Sequence, residues 1–232
     1  MQKLIDKLIE LKTKYPIETY FSWDIPNTVP VEIPTTIQNI YVKNIYLKES
    51  FAQALNNDEN FKNHYWIVQE WGGIKSFKQN EKNDEKIIKF KSQLDKGILT
   101  KDTFERISSF SKIASFLNPK KYAIYDSRAI YSLNWLLFNY TDIKELYPQP
   151  SGRNKELTKY DMQTIIRLSK KEHSYKLYKL AYHHYCNFLI ELSEKVYNDS
   201  RPYQMEMLLF LIAPSEIINM IERNVEINIK DV

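Results

Sequence analysis

Residues 105–128 read ERISSFSKIASFLNPKKYAIYDSR, and the punctuation of this stretch decides how the chain is read. An apolar helix runs up to Asn118 and halts at Pro119, whose ring cannot continue it. Two lysines, Lys120 and Lys121, follow, and a short hydrophobic run then delivers Asp126, Ser127 and Arg128 to the head of the next helix. Upstream, Asp102-Thr-Phe-Glu105 has the spacing of a capping box, so one helix is expected from about 102 to 117. Downstream, SRAIYSLNWLLFNY reads as a second, strongly apolar helix, with Asp126 in the favoured N-cap position.

Working outward, residues 1–15 place Leu4, Ile5, Leu8, Ile9 and Leu11 at helical spacing. Pro16, Pro26, Pro30 and Pro34 then enforce an extended, irregular segment, and residues 29–42 are the one place where short strands are expected. Helical patterning resumes near residue 45. In DENFKNHYWIVQEW it puts Phe61, Tyr65, Trp66 and Val68 near one face before Gly72-Gly73 breaks the run. Residues 78–97 read as a charged helix with a solvated lysine face, ending at Gly97. After the loop YPQPSGRN at 147–154, helices are expected at about 157–170, 173–197, 203–212 and 215–224. The class is mainly α, in a single globular unit over 1–232 without internal repeats.

Composition narrows the chemistry. The four glycines form neither a Walker-type loop nor a dinucleotide fingerprint, which argues against a nucleotide cofactor. The lone cysteine, Cys186, excludes an intramolecular disulfide and a four-cysteine iron–sulfur cluster held by this chain. The adjacent His183 and His184 point about 100° apart on a helix, so they are read as a packed or surface pair rather than metal ligands. No cofactor or metal is expected. No uninterrupted apolar stretch reaches the roughly 18 residues that a membrane-spanning helix requires, and the expectation is a cytoplasmic protein with no membrane partner. A net charge of +4 permits an anionic partner such as nucleic acid.

Helix, tight polar turn, helix, then a carboxylate at the head of a further helix resembles the helix-hairpin-helix DNA glycosylase superfamily, which includes endonuclease III and the 8-oxoguanine glycosylases. The family hairpin Leu-Pro-Gly-Val-Gly-x-Lys-Thr-Ala is matched by ISSFSKIA at 107–114, and the downstream Val-Asp-Thr-His-Val by YDSRA at 125–129. The hairpin here carries no glycine, which marks a divergent member. The resemblance implies a two-lobed helical fold, with a hairpin-containing lobe over about 60–140 and a second lobe from 1–59 plus 141–232. It gives Asp126 the place of the catalytic aspartate and Lys112 that of the lysine which forms a Schiff base in bifunctional members. It implies that Ser108, Ser109 and Ser111 hold a phosphate, that Lys120, Lys121 and Arg128 add backbone contacts, and that Trp71 and Tyr125 are pocket aromatics. The implied activity is DNA repair by hydrolysis: flipping a damaged base out of duplex DNA and excising it.

Each residue also has a structural reading. Asp126 caps a helix, Lys112 extends along an apolar face to water, Ser108 and Ser109 cap the hairpin, and Trp71 packs in the core beside a glycine C-cap. Glu206, in the apolar RPYQMEMLLFLIA, reads as the partner of Arg201. The rival function is a catalytically inert helical module that binds nucleic acid or a protein partner.

Overall fold

A computed structural model describes residues 1–152 and 154–227. Helix takes up 63% of the chain and strand 2%, so the class is mainly α. The N-terminal part contains α1 (Gln2–Lys14), α2 (Ile17–Tyr20), α3 (Ile40–Ser50), α4 (Ala52–Asn56) and α5 (Lys62–Trp66), which runs into a π-helical turn at Ile67–Trp71. The middle contains α6 (Glu81–Lys96), α7 (Lys101–Phe104), α8 (Ile107–Leu117) and α9 (Ser127–Tyr140). After β1 (Glu145–Leu146) come α10 (Lys155–Lys159), α11 (Met162–Leu168), β2 (Ser174–Tyr175), α12 (Tyr178–Tyr197) and α13 (Pro202–Ile212). A second π-helical turn, Ala213–Ile217, leads into α14 (Ile218–Asn224).

Local chemistry accounts for most of these boundaries. Asn39 opens α3 by accepting the Val42 N–H, Asn80 opens α6 by accepting that of Asn83, and Gly97 closes α6 at φ 71°. Several expectations change. No strand forms at 29–42, where the prolines keep the chain irregular up to α3. Among the described residues two strands form, of two residues each, pairing in parallel and joining Glu145–Leu146 to Ser174–Tyr175. The expected helix over 102–117 is two helices: Asp102 binds Arg106 rather than capping, and the chain turns at Glu105–Arg106 before α8 begins. The helices expected at 203–212 and 215–224 are continuous, because the π-helical turn absorbs Pro214, which has no N–H to give.

That continuous run, Pro202–Asn224, interrupted by Gln204, Glu206 and Glu216, bears on whether any helix is long and apolar enough to cross a bilayer. It has the length and composition to do so, with a mean hydropathy of 1.3 over its most apolar window. Of that window, 67% is buried within the fold, where α13 packs on α9 and α12. Its apolarity serves the core.

Two hydrophobic clusters organise the interior. The larger joins α1, α6, α9, α12 and α13, including Leu4, Phe90, Ile130, Leu189 and Leu208. The smaller gathers Leu47, Phe51, Trp66, Trp71, Phe116 and Ile124 from α3, α5, α8 and the segment after α8, roofed by Ile25, Val29, Val31 and Ile33 of the proline-rich stretch. Trp23 packs against both. Between α8 and α9 the chain passes through the interior without a strand partner, so side chains must satisfy its backbone. Tyr182 Oη donates to the Ala123 carbonyl at 3.0 Å, Tyr185 Oη to that of Ile124 at 2.9 Å, and the Tyr125 N–H to Ser111 Oγ at 2.9 Å. This clamp fixes where Asp126 emerges.

Candidate functional site

Asp126 emerges at the seam between the two clusters. There a cavity of about 60 Å³, widening to about 450 Å³ with its mouth, is lined by Lys48, Trp71, Lys112, Asp126, Glu206 and Phe210, among others. Five separate elements supply these six side chains. Asp126 is half-buried and caps α9, with Oδ1 accepting the Arg128 N–H at 2.8 Å. Its other carboxylate oxygen takes no hydrogen bond from the described residues and is free for a second role.

Lys112 lies on α8 with its chain buried, and Nζ donates to the Ser108 carbonyl one turn back at 2.8 Å. Its stem runs against Gly72. A Cβ at that position would stand 2.5 Å from Lys112 Cδ and 2.8 Å from the Ile67 carbonyl oxygen, so the glycine makes room for the lysine. Lys48, from α3, is fully buried. Its Nζ donates to Ser115 Oγ at 3.0 Å and lies 4.7 Å from the centre of the Phe116 ring and 5.3 Å from that of Trp71. Glu206, on α13, is 5% exposed, and its Oε2 is buried without a hydrogen-bond partner. Among the described residues neither lysine forms an ion pair with either carboxylate, although all four face the same space.

Burial therefore dominates the electrostatics. It pushes Lys48 down to about 8, with Glu206 opposing the shift and Lys112 adding to it. It pushes Glu206 up to about 7, opposed by Lys48 and reinforced by Asp126. Lys112 is also lowered by burial, against the pull of Asp126 and Glu206. Near neutral pH such a site holds an amine that is easily deprotonated and a carboxyl group that is easily protonated.

Aromatic residues build the walls. Trp71 donates Nε1–H to Asn44 Oδ1 at 3.0 Å, Asn44 Nδ2 donates to the Trp23 carbonyl at 2.8 Å, and Trp23 Nε1 donates to the Trp71 carbonyl at 2.9 Å. At the mouth Trp23 and Phe210 meet edge to face, 5.6 Å between ring centres. The Arg128 guanidinium sits 4.5 Å from the centre of the Phe210 ring.

The structure thus brings together Asp126, Lys112 and Trp71, with Arg128 at the rim. It separates the others from the cavity. Tyr125 is fully buried in the larger core and does not line the cavity: its hydroxyl donates to the Pro148 carbonyl at 2.8 Å, and its ring packs 5.0 Å from Tyr185. Ser108, Ser109 and Ser111 lie within the first turns of α8 rather than in the hairpin turn. Ser111 is buried with its Oγ engaged by Tyr125, so it cannot face a phosphate. The Arg106 carbonyl takes the amides of Ser109 and Phe110. Lys120 and Lys121 are exposed on the turn after α8; Lys120 lines a separate groove with Glu49 and Arg201.

Glu206 is not the partner of Arg201, which binds Asp199 and Glu49 instead. A glutamate amid nine apolar neighbours was the one signal of its burial. Nothing in IYVKNIYLKES marks Lys48, because a lysine on a helix reads as solvated until tertiary packing covers it. His184 Nδ1 is bonded to Tyr147 Oη at 2.8 Å, and His183 packs against Tyr122. No protein-family model matches this chain, and no curated protein or solved structure is significantly similar to it.

Proposed function

We propose that this chain is a DNA-binding enzyme of the base-excision type, which receives an extruded nucleotide at the cavity and breaks its glycosidic bond. The observation that carries this reading is the convergence of Asp126, at the head of α9, and Lys112, on α8, upon one cavity walled by Trp71. A departing base leaves positive charge on the sugar, and the free oxygen of Asp126 is suited to face it or to orient a water. Lys112, whose burial favours the neutral amine, is suited to attack the anomeric carbon as the bond to the base breaks. The reading also takes the fold as a two-lobed relative of the helix-hairpin-helix glycosylases, with α7, the Glu105–Arg106 turn and α8 as the hairpin. That turn holds Arg106 at φ −110°, so it needs no glycine. The amides of Ile107 and Ser108, with Lys120, Lys121 and Arg128, supply the phosphate contacts in this reading.

The cavity is smaller than the ~150 Å³ that holds a benzene ring. A base therefore enters only as the Lys112 chain or the Trp23–Phe210 pair swings aside. This size favours the second reading, an inert module that binds nucleic acid or a protein partner through the same face.

Duplexes carrying different damaged bases, incubated with wild type, Asp126→Asn and Lys112→Met, separate the two. Base release that disappears in D126N, with borohydride trapping of a covalent complex in wild type but not K112M, is the expected result for a bifunctional enzyme. Release in wild type without trapping assigns the chemistry to Asp126 and water. Salt-dependent duplex binding with no release from any member leaves the inert module.

A further inference from the structure

Two charged side chains of the cavity have no task in the scheme above, and their disposition is unusual. Lys48 is fully buried and Glu206 nearly so, at 5% exposure. Buried opposite charges ordinarily close on each other, because each otherwise bears most of its desolvation penalty. These two do not. Lys48 has a single hydrogen bond, to Ser115 Oγ, which leaves two of its three donors unused. Glu206 Oε2 has none. Both line the same cavity, and among the described residues they make no ion pair.

We infer that Lys48 and Glu206 are a ligand-reading couple that together grip the O=C–N–H edge of a cyclic amide, the carbonyl oxygen on Lys48 Nζ and the N–H on Glu206 Oε2. An ammonium with two spare donors suits a carbonyl oxygen, which offers two lone pairs; a ring nitrogen offers one, fixed in the ring plane. Above about pH 7, where Glu206 is ionised, its oxygen accepts but cannot donate, so it requires an N–H at the neighbouring position, and the test below is run at pH 8. With the Lys112 chain or the Trp23–Phe210 pair swung aside, the inner cavity of about 60 Å³ takes such an edge while the ring lies in the wider mouth. The assignment selects oxo-bases with a lactam edge over bases whose N–H has been replaced. That the ring is a nucleobase rests on the base-excision reading; the amide edge does not.

The test uses the full chain and uracil as probe, followed by the indole N–H signals of the four tryptophans in nitrogen–proton spectra. Trp23 and Trp71 line the cavity, whereas Trp66 and Trp135 lie outside it and report whether a variant keeps its fold. Uracil is expected to shift the Trp23 and Trp71 signals along a saturating curve. Binding of 3-methyluracil, whose amide N–H is blocked, is expected to be at least about tenfold weaker, as is binding of uracil to Lys48→Met and Glu206→Gln, since each loses a charged hydrogen bond in a dry site. Equal binding of uracil and 3-methyluracil, undiminished binding in both variants, or no response up to the solubility of uracil would each overturn the inference. Uracil binding with these selectivities, alongside failure to bind duplex DNA, would leave the couple standing and remove the base-excision reading. Base release that persists without amide selectivity would do the reverse.

Discussion

Replacing Glu206 with glutamine tests the buried charge at the heart of the cavity through stability alone, independently of any substrate. Burial raises the Glu206 carboxyl from its ordinary 4.5 to about 7. A group whose folded pKa is raised holds its proton in the native state while the unfolded chain releases it. Its stabilising contribution is therefore complete below pH 4.5, falls as pH rises, and is gone above about 7. Each unit of difference is worth about 1.4 kcal/mol, so the whole effect is about 3 kcal/mol, of which about 2 falls between pH 5 and 7.5. Glutamine has the same size and cannot ionise, so the wild-type stability minus that of E206Q should fall by about 2 kcal/mol across this window. Lys48 acts with the opposite sign: its pKa is lowered to about 8, so its penalty is present at neutral pH and relieved as pH rises toward 10.5. Removing the Glu206 charge lowers Lys48 further and makes E206Q gain stability with pH, which widens the difference in the same direction. Urea unfolding of both proteins at half-unit pH steps measures the effect. Profiles parallel to within about 0.5 kcal/mol would show that Glu206 is solvated or paired and that the cavity electrostatics described above are wrong.

Three further outcomes follow, those for stability from the geometry and those for base release and trapping from the proposed base-excision function. Asp126→Asn preserves the helix cap and should leave urea stability within about 0.5 kcal/mol of wild type, whereas Asp126→Ala should lose about 1 kcal/mol; loss of base release in both variants would separate the catalytic role from the cap. Gly72→Ala should destabilise by about 1–3 kcal/mol and abolish trapping of Lys112, because the new methyl meets both the Lys112 stem and the fixed Ile67 carbonyl. Tyr185→Phe leaves the buried Ile124 carbonyl without its donor and should cost about 1–2 kcal/mol in urea unfolding. With Asp126 less firmly held, Tyr185→Phe should also slow base release under saturating substrate.

The mainly α class, the sharp stop at Pro119 and the capping of α9 by Asp126 were legible in the sequence, because each rests on contacts within a few residues: apolar spacing, a missing N–H, a side-chain oxygen that accepts the amide two residues on. The resemblance of the 107–129 stretch and its flanking helix singled out Asp126, Lys112 and Trp71, and these three line one cavity. What tertiary structure decided is which of these face one another. Tyr125, one residue from Asp126, points into the core because its amide and hydroxyl are claimed by Ser111 and Pro148, residues distant in sequence. Lys48 and Glu206 are separated by more than 150 positions; the apolar run around Glu206 hints at its burial, but nothing local marks Lys48 or pairs the two. Burial that removes water from both, and the packing that holds them apart within one cavity, exist only once α3 has docked against α8 and α13 against α9.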